Sequence, residues 1–177
     1  MDKEKSPVQK ERALFKYKGT LIVVGVLALS YFVIAASMGN LRPLAAIRSE
    51  SMFPTLEKGD LVLIKGPLVD RLDVGDAIVF DVPSPFDKTF PSPIVHRIIE
   101  KRVESGKTYF ETKGDNNSVP DVFKVPAENV IGEYAGIRIP LLGHVFMFVQ
   151  SPLGLATTLI LILVWFGYGY FTQKGQK

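Results

Sequence analysis

The sequence contains no cysteine and only two histidines, His96 and His144. The first absence excludes disulfides and thiolate metal sites. The second argues against structural zinc, which takes four nitrogen or sulfur ligands, so no metal or other cofactor is expected. Charge is missing from two long stretches, residues 19–41 and 153–171. Between them there is no concentrated basic and aromatic surface, so nucleic acid is not an expected partner. The net charge of +3 comes largely from the N-terminal tail. No internal repeat is present, and no long segment of 3.6-residue period appears between the apolar stretches.

The uncharged stretches are membrane-length. A helix rises ~1.5 Å per residue and the hydrocarbon layer is ~30 Å thick, so ~20 apolar residues span it. The core of the first reads Leu-Ile-Val-Val-Gly-Val-Leu-Ala-Leu-Ser-Tyr-Phe-Val-Ile. A cleaved signal sequence has an apolar core of only ~7–15 residues, so the length favours an uncleaved anchor. The second carries Trp165, Tyr168 and Tyr170 at its far end, where amphipathic rings suit an interface. Lys3, Lys5, Lys10, Arg12, Lys16 and Lys18 precede the first stretch, and Lys174 and Lys177 follow the second. Cationic flanks stay in the cytoplasm. The expected organisation is a basic cytoplasmic tail (1–18), an anchor (19–41), an extracytoplasmic domain (42–150), a second transmembrane helix (151–172) and a short cytoplasmic tail (173–177). That makes a multi-pass protein of the cell membrane, with the endoplasmic reticulum membrane as the alternative.

The segment between the stretches reads as strands. Residues 61–64, 77–80, 94–99, 108–111 and 130–139 are rich in β-branched and aromatic residues and are separated by Gly or Pro. Gly59-Asp60, Gly75-Asp76 and Gly114-Asp115 punctuate them as turns. The expected fold is mainly β: a small antiparallel sheet, coiled or barrel-like, flanked by two transmembrane helices. Residues 81–93 carry four prolines and cannot form a central strand. They should form an exposed loop whose Phe86 and Phe90 either dip into the bilayer interface or fold back on the sheet.

Three segments offer chemistry. Ser51 stands in Ser49-Glu50-Ser51-Met52-Phe53-Pro54-Thr55. Pro54 biases Phe53 away from helix, so an extended or turning segment presents the serine. His96 shares one face of a strand with Ile94 and Ile98. Asp115 lies in Gly114-Asp115-Asn116-Asn117, where turn duty explains it equally well, and Asp121 follows Pro120. A carboxylate bonded to one imidazole nitrogen fixes the tautomer, leaving the other nitrogen to take a proton from serine. His144, beside the second stretch, is assigned a structural or interfacial role.

In order along residues 47–140, these segments resemble the boxes of type I signal peptidases, specifically the archaeal and endoplasmic-reticulum branch. Ser49 to Thr55 is similar to the family's Ser-x-Ser-Met-x-Pro box, with Gly59-Asp60 at the family's spacing. Gly75-Asp76-Ala77-Ile78-Val79-Phe80 resembles the next box. Ile94-Val95-His96-Arg97-Ile98-Ile99 resembles the box that carries a catalytic lysine in the bacterial branch. Lys113 to Asn117 with Asp121 resembles the last. Glu50 stands where many members have glycine, and the second apolar stretch exceeds the minimal family plan.

The resemblance implies Ser51 as nucleophile, His96 as general base, Asp121 as the third member and Asp115 as a supporting acid. It implies Ser49 and the Ser51 amide as oxyanion donors. The implied activity is removal of signal peptides from secretory preproteins, cut after a small residue with another two earlier. An extended peptide along a strand edge would place alternate side chains in shallow pockets, lined by residues around Ser51 and near 78–80. The implied partners are signal peptides, the lipid bilayer, and the secretion translocon or partner subunits. Two other readings stand beside this one. A self-cleaving protease of the repressor type would use a lysine, with Lys65, Lys88, Lys101 and Lys113 available. A non-catalytic membrane-anchored β module would bind secretory precursors or scaffold a complex.

Overall fold

The computed structural model describes the backbone of residues 7–174 and the side chains of residues 18–165. Lys3, Lys5, Lys10, Arg12, Lys16, Lys174 and Lys177, which carry the expected orientation, and the interfacial Tyr168 and Tyr170 lie outside the described side chains.

Helix α1 runs Pro7–Met38, and its part Lys18–Met38 is long and apolar enough to cross a membrane, with a mean hydropathy of 2.4. Its Leu21, Ile22, Leu27 and Phe32 side chains are exposed. Exposed apolar side chains along a helix suit a lipid-facing surface. Gly39 ends the helix with φ +60°, and the amides of Gly39 and Asn40 donate to Ala36 O and Ala35 O. This arrangement caps the last free carbonyls. The Asn40 side chain donates to Ile131 O at 3.1 Å and Gly66 N donates to Met38 O, so the helix end is fixed to the sheet.

The domain is mainly β, an antiparallel half-barrel sheet accompanied by three helices. Its strands are β1 (Leu44–Ala46), β2 (Leu61–Lys65), β3 (Ala77–Phe80), β4 (Ile94–Glu104), β5 (Lys107–Lys113), β6 (Lys124–Pro126) and β7 (Val130–Ile139). Their order is β1-β2-β7-β3-β4-β5-β6, with every neighbouring pair antiparallel. All five expected strands are present. β4 runs five residues beyond the expected 94–99 and pairs with β5 through a tight turn at Ser105-Gly106, both with positive φ. The three-residue strands β1 and β6 were not foreseen, being too short to show an alternation. Nor was α2 (Leu142–Gln150), which lies inside the segment expected to be wholly strand and loop.

The second apolar stretch lies within α3 (Pro152–Lys174). Among the described residues it meets the length and hydropathy of a span only when joined to α2, from which it is bent by 80°. One candidate membrane helix is therefore established by its own length, not the two expected.

Both faces of the central strand β3 are covered, and all four of its residues are buried. Residues 78–80 thus cannot line an open substrate pocket. One core cluster holds Ile78, Phe80, Ile98, Phe110, Phe123 and Val125; the other holds Ile47, Met52, Leu56, Val62 and Ala77. Phe86 and Phe90 fold back onto the first, with ring centroids 5.5 and 5.6 Å from that of Phe123. Ser92 closes their loop by donating to Asp81 at 2.8 Å. Of the two alternatives for these rings, packing on the sheet is the one adopted.

Candidate active site

The serine loop is tied at its base. Ile47 N donates to Asp60 O and Gly59 N donates to Ile47 O, both at 2.9 Å. Between these bonds, Met52 and Leu56 drop into the second core cluster. The turn closes through Phe53 N to Glu50 O and Leu56 N to Met52 O. Burying those two side chains leaves Ser49, Glu50, Phe53 and Pro54 exposed and holds Ser51 at the rim. Glu50 is exposed and lies outside the left-handed region, so its side chain does not disturb the turn.

Strand β4 supplies His96, which is 5% exposed and pairs with Ile78 of β3. The edge of the Phe80 ring meets it at 6.4 Å between centroids. His96 Nε2 is 3.1 Å from Ser51 Oγ, and His96 Nδ1 is 2.7 Å from Asp121 Oδ2. The carboxylate only accepts, so Nδ1 donates to Asp121, and a neutral imidazole in that tautomer presents Nε2 as an acceptor for the serine hydroxyl. Thr112 Oγ1 donates to the same Asp121 oxygen at 2.6 Å, and Asp121 N donates to Thr112 O at 2.8 Å. Thr112 sits opposite Ile98 in the β4–β5 register and so shares the His96 face. Ser49 Oγ lies 3.1 Å from Ser51 Oγ.

Asp115 stands outside this chain of bonds. It receives a two-pronged contact from Arg97, Nε to Oδ1 at 2.8 Å and Nη2 to Oδ2 at 2.6 Å, and a bond from Thr55 Oγ1. Arg97 Nη1 also donates to Gly75 O at 2.7 Å. The Arg97 bond holds the Asp115 carboxyl below its ordinary range, and Asp115 raises Arg97 in turn. Asp115 is thus an ion-pair partner that joins β4 to the serine loop through Arg97 and Thr55. The next residue completes the junction: Asn116 N donates to Ser51 O at 2.8 Å. This approach requires glycine at 114, because a Cβ there would lie 2.6 Å from Ser51 O.

His144 takes no part in these bonds. Its ring lies against Gly59, which has φ +95° and no room for a side chain. Lys101, one of the alternative bases, donates to Leu72 O at 2.7 Å. Among the described residues no lysine bonds to Ser51. Sequence reading missed Thr112, Thr55 and Arg97. Thr112 had a detectable signal, a polar residue on the buried face of the alternating Phe110-Glu111-Thr112; Thr55 and Arg97 stood inside the quoted boxes, but nothing there pairs them with Asp115.

The chain is similar to known signal peptidases over much of its length. The model of the signal peptidase family, peptidase S26, matches residues 17–103. The signal peptidase complex catalytic subunit SEC11 of Scheffersomyces stipitis is 31% identical over 144 residues, covering 79% of this chain and 81% of that protein. The SEC11 subunit of Yarrowia lipolytica is 32% identical over 111 residues, 58% and 60% of the two chains. Signal peptidase I W of Bacillus subtilis is 34% identical over 98 residues, 55% and 48%. With a SEC11 subunit matched over most of both chains, this chain belongs to the signal peptidases of the peptidase S26 family, in the branch that includes the eukaryotic catalytic subunits.

Proposed function

We propose that this chain removes signal peptides through a covalent serine mechanism. The carrying observation is the hydrogen-bonded series Ser51–His96–Asp121, at 3.1 and 2.7 Å. Ser51 Oγ attacks the scissile carbonyl carbon while its proton passes to His96 Nε2. The resulting imidazolium is held by the Asp121 carboxylate, then gives its proton to the leaving amine as the C–N bond breaks. His96 next takes a proton from water, whose oxygen attacks the acyl ester, and passes it to Ser51 Oγ as the ester C–O bond breaks. The Ser49 hydroxyl and the Ser51 amide serve as donors to the oxyanion. Among the described residues that amide takes no part in the backbone bonds of the turn. Asp115 acts by position: with Arg97 and Thr55 it fixes the serine loop against β4.

The substrates in this reading are secretory preproteins cut after small-x-small sequences. Residues 1–18 and 173–177 are cytoplasmic tails, 19–41 is the anchor, 42–150 is the extracytoplasmic catalytic domain and 151–172 a second span. The protein is then multi-pass in the cell membrane. The SEC11 relatives are named as subunits of a complex, which supports a need for partner subunits in this chain as well. The test is cleavage of a synthetic precursor by the full chain, with sequencing of the new termini. A cut after a small-x-small motif, lost when either small residue becomes Leu and lost with His96→Ala, is expected. Equal cleavage of the Leu variants would refute the specificity, and full activity of His96→Ala would refute the base.

A further inference from the structure

Between Arg138 and Lys174 the chain has no Asp, Glu, Lys or Arg. This uncharged run includes α2 as well as α3, although α2 belongs to the folded domain. Gly143, Phe146 and Met147 form the inner side of α2, partly or wholly covered. Gly143 sits on the Gly59–Asp60 backbone, where a Cβ would overlap the Asp60 carbonyl. On the outer side Leu142, Val145, Phe148 and Val149 are 42–57% exposed. They follow helical spacing and form one face, with Leu141, 71% exposed, at its start. A surface helix normally turns polar residues outward, and this one turns a continuous apolar face.

The break between α2 and α3 is sealed. Phe148 O accepts both Ser151 N and Ser151 Oγ, the latter at 2.7 Å. Ser151 Oγ in turn accepts Gly154 N at 3.0 Å, and Leu155 N donates to Ser151 O. Gly154 lets α3 start directly against the Phe148 carbonyl, where a Cβ would not fit. These bonds satisfy the Phe148 and Ser151 carbonyls and the Gly154 amide at the bend from within, as a medium poor in water favours.

We infer that α2 lies in the membrane interface, with Val145, Phe148 and Val149 seated among lipid chains, and serves as a second support that sets the height of the serine loop above the bilayer. This rests on the reading of α3 as a span. With α3 crossing, the 80° bend lays α2 close to the plane of the membrane. Interfacial helices bury an apolar face ~5–10 Å into the headgroup and acyl boundary. The coupling to the site is short. The Gly59–Asp60 turn under α2 is the same turn that closes the loop of Ser49 and Ser51 through Ile47.

The absence of cysteine makes a direct test available. Nitroxide labels on Val145→Cys, Val149→Cys, Leu159→Cys and Lys107→Cys would be placed on the full chain in phosphatidylcholine vesicles. Their accessibility to oxygen and to an aqueous nickel chelate gives depth. The expected result is preferential oxygen access at 145 and 149, at ~5–10 Å depth, greater depth at 159 and chelate access at 107. Chelate access at 145 and 149 equal to that at 107, with 159 still deep, would overturn the interfacial placement and leave the span intact. Chelate access at 159 would overturn the span itself. Shielding of 145 and 149 from both reagents would mean that protein covers the face, and would also overturn the inference.

Discussion

Replacing Asp121 by Asn separates charge from shape at this site. Both donors that reach Asp121, His96 Nδ1 and Thr112 Oγ1, converge on one oxygen, Oδ2. A carboxamide with its oxygen in that position accepts both bonds, so the imidazole keeps its tautomer and orientation. The negative charge is what is lost. Charge centres roughly 4 Å apart interact by about 4 kcal/mol at an effective dielectric of ~20, and in the proposed mechanism the imidazolium forms as Ser51 gives up its proton. The penalty therefore falls on turnover, about 10³-fold at ~1.4 kcal/mol per decade, with little change in KM. Asp121→Ala should lose at least as much activity and also destabilise the fold. It leaves the fully buried Thr112 hydroxyl without its acceptor, a desolvation penalty of about 1–3 kcal/mol. Steady-state cleavage of a synthetic precursor, run beside urea unfolding of the three proteins, distinguishes these effects. An Asp121→Asn enzyme within tenfold of the parent turnover would refute the electrostatic role, and an Asp121→Ala protein of parent stability would refute the buried network.

Other consequences are open to simpler assays. Gly114→Ala should push Ser51 O away and cut turnover by about 10²-fold, the cost of a ~1 Å misplacement; precursor kinetics would show it. Asp115 has its carboxyl pKa lowered by Arg97. Its stabilisation is therefore present above its unfolded value and lost as pH falls below about 4 toward the lower folded value. Unfolding measured from pH 6 to pH 2 should lose less stability in Asp115→Asn than in the parent over that acid range. Phe123→Ala removes the ring on which Phe80, Phe86 and Phe90 converge and should cost about 3–5 kcal/mol in urea unfolding.

The strands of the catalytic domain could be read from alternation and turn residues because each buries a regular face, as β3 and β4 show. Short β1 and β6 offer too few residues for a period to register. The helix α2 was hidden for a different reason: its outward face is apolar, so Leu142 to Gln150 lacks the polar side by which a surface helix is recognised. Ser51, His96 and Asp121 were legible as residue types, yet only the β4–β5 register explains why Asp121 reaches the imidazole. Strand β5 carries Thr112 beside the His96 face, and the loop after Gly114 returns Asp121 to it. The pairing of Asp115 with Arg97, which lies on the opposite face of the histidine strand, could not be read from a linear sequence. Whether α3 forms a second span was not decided by composition, since its described part reaches membrane length only across the bend with α2.

The most direct measurement compares the full-length protein with Ser51→Ala on one precursor, with both proteins shown to be folded by circular dichroism. Cleavage by the parent and none by Ser51→Ala is the predicted result. Cleavage by Ser51→Ala at a rate near that of the parent would contradict the assignment of the nucleophile.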